Sequence, residues 1–192
     1  PLDQTVKNGL VQPASRDRLS HLFHRTARIL TAEGYDHYEI SSFSINAGNR
    51  SRHNSKYWDR SVYYGFGASA HSFDGHKRSW NVSDIRSYLH CLAQDRLPVE
   101  ETEILDSDQM ILEMILLGLR TREGIDLSVF RSIAGREFES MFPDLVNHIC
   151  KAGFGRLTHE SFFLTLAGKI RLDSIVEMFA RKIWSDAADA QL

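Results

Sequence analysis

Between Asn49 and Trp80 the chain gathers its densest mixture of cationic, aromatic and imidazole side chains. The run NRSRHNSKYWDR leads into VYYGFGASAHSF and then into the polar turn Asp74-Gly75-His76. Arg50, Arg52, Lys56 and Arg60 interleave with Tyr57, Trp58, Tyr63, Tyr64 and Phe66, and His53, His71 and His76 punctuate them. Two arrangements answer to this mixture. One is a packed junction between substructures whose basic rim is solvated. The other is a pocket for a flat anionic ligand, with rings against its face, cations on its carboxylates and a histidine available to a metal. Gly65 and Gly67 add a place of close backbone approach, by a ligand or by another chain segment.

Competing motifs fall away on context. Gly65 to Ala70 formally fits the G-x-G-x-x-A dinucleotide fingerprint, but the glycines run into a strand and turn rather than opening a helix, which excludes a Rossmann site. His21 and His24 stand three apart with no second ligand pair nearby, so they read as a solvated helix face rather than a zinc site.

YEISSF at 38–43, RHNSKYW at 52–58 and YYGFGASAHSF at 63–73 resemble, in order and spacing, the carboxyl half of a known family. It is the radical S-adenosylmethionine proteins related to oxygen-independent coproporphyrinogen III oxidase. Pro1-Leu2 and LLGLRTREGIDLSVF at 116–130 fit the same family, extending the resemblance to about Trp184. The pattern His53-Asn54-Ser55-Lys56-Tyr57 is similar to the mark of its haem chaperone branch, which the true coproporphyrinogen dehydrogenases lack. The resemblance implies a protein that binds haem, S-adenosylmethionine and a 4Fe–4S cluster and passes haem to acceptor proteins. It implies Ser41, Ser42 and Phe43 at the lip of a barrel pocket, Asn46 to Asn54 with Arg52, His53 and Asn54 in the loop above it, Tyr57 in the same motif, and Gly65 and Gly67 along the cavity; His71 reads either as facing that cavity or as a satisfied core side chain. His53 is then expected to approach the haem iron, Tyr57 or Trp58 to pack on the macrocycle, and Arg50, Arg52 or Lys56 to meet the propionates. The family's cluster needs three closely spaced cysteines, whereas this chain has only Cys91 and Cys150. The expectation is a piece lacking the amino-terminal half, unable to perform radical chemistry with these residues alone.

The elements that must position these residues are legible in outline. A helix over 15–33, capped by Ser15 and ended by Gly34, with Leu19, Leu22, Phe23, Ile29 and Leu30 inward, leads into a strand over YDHYEISSF. That step suits an α/β barrel, with Glu39 and Ser41 either at a ligand lip or satisfying each other. Val62 to Phe66 reads as a strand, and a hairpin follows through Asp74 to Val82. A helix capped by Asp84 is expected to bury Ile85, Tyr88, Leu89 and Leu92, with Cys91 on the opposite flank. Leu97 to Glu103 reads as a linker. It divides residues 1–98, the carboxyl-terminal part of a radical S-adenosylmethionine barrel, from residues 99–192, a helical winged-helix-like domain. In the latter, Asp106 and Gln109 predict a capping box before an apolar central helix, where Glu113 calls for Arg120 or Arg122. Helices then precede a hairpin over 154–166 and a last amphipathic helix. The fold class is α/β, α+β overall.

With 23 basic and 25 acidic residues the net charge is −2, which gives no general attraction to nucleic acid. The segment before the hairpin also lacks the basic stripe a DNA-binding winged helix needs. No apolar run approaches bilayer length, and two cysteines make no disulfide framework, which points to the cytoplasm. An incomplete barrel sheet would leave strand edges open and predicts self-association. Beside the haem chaperone stand two other functions: the porphyrinogen-decarboxylating oxidase, and a nucleic-acid module.

Overall fold

The structure, a computed structural model, describes residues 2–189; Pro1, which belongs to the family resemblance, lies outside them. Element boundaries follow the capping residues. After a short α1 (Leu2–Lys7), Ser15 accepts the backbone N–H of Arg18 and opens α2 (Arg16–Ala32). Gly34, just beyond it, takes φ +84°, the left-handed geometry that ends a helix without a Cβ penalty. Ser51 caps α3 (Arg52–Trp58) and Asp84 caps α4 (Ile85–Ala93). The Asp106 carboxylate accepts the Gln109 N–H while the Gln109 side chain accepts that of Asp106, a reciprocal box that starts α5 (Ser107–Arg120). Asp126 caps α6 (Leu127–Ala134); α7 (Phe138–Met141) and α8 (Pro143–Lys151) follow, the latter with proline in its first turn. The chain ends through α9 (Leu166–Lys169) and α10 (Leu172–Asp189).

The named strands form three antiparallel sheets. β1 (Asp36–Glu39) pairs with β2 (Ser42–Ser44). β3 (His71–Phe73), β4 (Lys77–Asn81) and β5 (Val99–Ile104) lie in that order. β6 (Ile125–Asp126), β7 (Gly155–Leu157) and β8 (Ser161–Leu164) lie in the order β6-β8-β7. The result is a mixed helix-and-sheet fold. The single strand expected over 35–43 is instead a hairpin, because the Glu39 carboxylate accepts the N–H of Ser41 and the hydroxyls of Ser41 and Ser42 and folds the chain back. The acidic stretch expected as a linker is β5, a charged edge strand on β4. Val62 to Phe66 touches β3 through one bridge, Tyr63 to Phe73.

The main core lies in the carboxyl-terminal part. Ile111, Met114, Ile115 and Leu119 of α5 meet Phe130, Phe138, Phe142, Phe162 and Phe179, with ring centroids 5.0 to 6.3 Å apart. Toward the amino terminus the buried apolar side chains are few, with Ala27, Tyr38 and Phe73 the main ones. Two helices turn the wrong way relative to expectation. In α2 it is Ala27 that is buried, while Leu19, Leu22 and Ile29 are exposed; in α4 Ile85, Leu89 and Leu92 are exposed, and Tyr88 and Cys91 are the half-buried pair. Amphipathic spacing defines an apolar stripe but not the surface that covers it.

Phe179→Ala should lower stability by about 3–5 kcal/mol in urea unfolding, since the ring is fully buried against those of Phe138, Phe142 and Phe162, whereas Leu89→Ala should stay within about 0.5 kcal/mol.

Candidate functional site

The seven-residue helix α3 presents two chemically distinct faces. Its outward face carries His53 and Tyr57, four apart, with the Tyr57 hydroxyl 3.0 Å from His53 Nε2 and the rings edge-on at 5.1 Å. Tyr57 in turn stands edge-on to Tyr63 at 4.8 Å. Asn54 is exposed beside them, its backbone N–H held by the Ser51 hydroxyl at 3.2 Å. Arg52 and Lys56 are also exposed, and among the described residues neither side chain makes an ion pair or hydrogen bond. Thus one short helix holds an accessible imidazole, two uncommitted cations, an amide and a phenol.

Its inward face contributes Ser55, Trp58 and the following Asp59 to a cleft of about 760 Å³, whose other walls include Tyr38, Met110, Met114, Val129 and Ile133. That volume is within the roughly 300–1,000 Å³ of small-molecule pockets. The Arg120 guanidinium lies 4.6 Å over the Trp58 ring. Trp58 therefore does not share a face with His53 and drops out as a packing surface for a ligand held there.

The remaining cations are spent on structure. Arg50, expected near propionates, binds Asp36 at 2.6 and 3.1 Å and Glu123 at 2.8 Å, and lies over the Tyr38 ring. Arg122 also pairs with Asp36. Burial by itself would raise the Asp36 pKa, but hydrogen bonds from Arg50 and Arg122 outweigh it and hold the carboxyl below its usual range. Glu39, 3% exposed, binds Arg120 at 3.0 Å through one oxygen and Ser41 and Ser42 through the other. Burial raises its pKa too, and the Ser41 N–H, the Ser42 hydroxyl and Arg120 together bring it below normal. Ser41 is therefore engaged by Glu39 rather than forming the lip of a pocket.

Glu113 is paired, but by Arg60 and Arg78 rather than by Arg120 or Arg122. The physical reason is topological: β4 and the turn at Arg60, which takes φ +57°, deliver their cations to the middle of α5, while its last turn is claimed by β1. Burial, followed by the Arg78 charge, pushes the Arg60 pKa down.

The glycines answer the question of close approach. A Cβ at Gly65 would lie 2.1 Å from the His71 carbonyl oxygen, so the segment that crowds it is β3 and not a ligand. Gly67 takes φ +108°, its N–H donating to the Tyr88 hydroxyl and its carbonyl accepting from Asn81. Neither glycine lines the cleft, and His71 is exposed beside Trp80. Cys91 lies on α4 and Cys150 on α8, and among the described residues no group of three histidines, cysteines or carboxylates could hold a metal; a 4Fe–4S cluster does not fit this residue set.

Sequence reasoning missed the anchoring pairs of Asp36 and Glu39. The signal was present in DHYE at 36–39 and RTR at 120–122: two acids three apart and two arginines two apart, brought opposite each other where β1 has a register irregularity between His37 and Glu39. The backbones confirm the pairing, with Ile40 N–H donating to the Arg120 carbonyl and Arg122 N–H to that of Tyr38.

Comparison with known proteins places these features in a family context. Residues 105–170 match the HemN C-terminal domain. The haem chaperone HemW of Mycobacterium tuberculosis is 31% identical over 87% of this chain and 44% of that protein, and HemW of Bacillus subtilis 28% identical over 86% and 43%. The fold resembles that of Escherichia coli coproporphyrinogen III oxidase (HemN), a radical SAM enzyme, with TM-score 0.59 at 16% identity over 88% of this chain and 42% of that one. The chain spans less than half the length of the curated relatives it matches here.

Carboxylates whose pKa is lowered in the folded state contribute stability above their ordinary values of 3.8 and 4.5, and this is lost as pH falls through the depressed values. His37, pushed down from 6.5 by burial, must remain neutral, so its contribution begins to fade below that value. Unfolding free energy measured by urea titration should therefore decline from about pH 6 and more steeply below about pH 4, and Glu39→Gln should flatten the steeper limb.

Proposed function

The chain belongs to the coproporphyrinogen III oxidase-like family that includes the HemW haem chaperones, and from that premise we propose that it binds haem on the outward face of α3 and serves delivery of haem to acceptor proteins. The observation that carries this reading is the coincidence, on one exposed helical face, of His53 with Arg52 and Lys56, the basic residues of α3 that no carboxylate neutralises. Haem is a planar hydrophobe with two carboxylates and an iron that accepts imidazole nitrogen. His53 supplies that nitrogen, the two cations meet the carboxylates, and Tyr57 with Tyr63 offers aromatic surface at the ring's edge. Asn54 borders the same face. Exposure suits cargo that must leave again, because a partner can approach haem held at a surface without unfolding its donor.

The finer assignments belong to the same proposal. The domain from residue 99 to 192, whose described part carries α5, α6 and α8 followed by the β7–β8 hairpin, reads as winged-helix-like, and that over 1–98 as barrel-derived. S-adenosylmethionine and a 4Fe–4S cluster are implied by the family, and the cluster's thiolates would have to come from outside these residues. We place the protein in the cytoplasm; no helix among the described residues is long and apolar enough to cross a membrane. Self-association through a sheet edge is supported by β2, whose outer edge has no partner strand among the described residues.

Titration of haemin into the purified chain should give a Soret shift that His53→Ala abolishes, while Arg52→Glu should weaken binding about 5- to 30-fold with an unchanged circular dichroism spectrum. Porphyrinogen consumption without haem binding would refute the chaperone reading, and unchanged affinity in Arg52→Glu would remove the propionate role.

A further inference from the structure

The outward face of α3 contains an interaction that works against its cargo. His53 Nε2 is the ring nitrogen that the Tyr57 hydroxyl meets at 3.0 Å. Nδ1 is the inner nitrogen, closer to the helix backbone on which His53 sits, so a macrocycle several ångströms across is more crowded there than at Nε2, the outer nitrogen. The nitrogen better placed to meet haem iron is therefore Nε2, the atom Tyr57 already holds. The conflict does not depend on where the proton lies. If the hydroxyl donates, the Nε2 lone pair is occupied; if Nε2–H donates, the nitrogen has no lone pair to give until the tautomer changes. The phenol also stands across the direction from which iron must come, and its ring is steadied by the edge-on contact with Tyr63 at 4.8 Å.

We propose that Tyr57 is a latch on His53: its hydroxyl must release Nε2 before haem is ligated and recaptures it when haem leaves, so that this hydrogen bond lowers haem affinity and favours transfer to an acceptor. The proposal rests on the reading of the α3 face as the haem site. Tyr57 acts through His53 and is a positioning residue, not a ligand. A hydrogen bond at an exposed site is modest, and its loss corresponds to a change of about 2- to 10-fold in an equilibrium constant. That magnitude fits a device that tunes release without preventing capture.

The test compares wild type with Tyr57→Phe, which keeps the ring and its contact with Tyr63 and removes only the hydroxyl. In haem-free protein, carbethoxylation of His53 by diethyl pyrocarbonate, followed by peptide mass analysis because other exposed histidines also react, should be about 2- to 10-fold faster in Tyr57→Phe. Haemin titrations should show tighter binding by a similar factor with the Soret position unchanged. Equal modification rates alongside an intact Soret response overturn the latch and leave the haem reading standing. Weaker haem binding in Tyr57→Phe also overturns it, since the hydroxyl would then support the complex. Faster modification with no Soret response in either protein overturns the reading of the site, and the latch on haem with it.

Discussion

Arginine–carboxylate pairing holds the amino-terminal part of this chain to its carboxyl-terminal core. Asp36 is gripped by Arg50 and Arg122, Glu39 by Arg120, and Glu113 by Arg60 and Arg78. Each carboxylate is at least four-fifths buried, while the apolar side chains buried in the same region are few. Such pairs add little net stability over a well-packed apolar contact, yet removing one partner strands a buried charge at about 3–5 kcal/mol. Their value is therefore geometric. They fix the β1–β2 hairpin and the turn at Arg60 against α5, and α3 is suspended between these two points.

That suspension explains how seven residues can hold a stable exposed face. A helix so short is not stable in isolation, because nucleation outweighs the few hydrogen bonds it gains. Here Ser51 caps it, the Ser51 N–H donates to the Tyr38 hydroxyl, and Trp58 is pinned beneath the Arg120 guanidinium. The inward half of α3 is anchor and the outward half is left for chemistry. Arg50 and Arg52 illustrate the division: two residues apart, one is bound to two carboxylates and the other to none. The same logic separates Trp58 from Tyr57, adjacent in sequence and on different faces.

The cleft behind α3 shows how misleading a cavity can be when considered alone. The two arginines that line it are already paired, Arg50 with Glu123 and Arg60 with Glu113, whereas the face opposite carries Arg52 and Lys56, which no carboxylate meets among the described residues. Availability of charge, rather than volume, distinguishes the two surfaces.

The sequence by itself determined the things that are local. Helix starts at Ser15, Asp84 and Asp106 follow from side chains that satisfy nearby N–H groups. The core of α5 and α10 follows from apolar periodicity, and the family follows from three ordered motifs borne out by the comparisons. Only the tertiary structure decided what required knowing which distant segments meet. It bent the run at 35–43 into a hairpin, made the acidic linker an edge strand and exposed the apolar stripes of α2 and α4. It also gave Glu113 to Arg60 and Arg78, and filled the space at Gly65 with β3. A carboxylate specifies that it needs a cation, and a glycine that something comes close, but the identity of the partner is fixed by long-range packing, where several nearly equivalent arginines compete and topology selects among them.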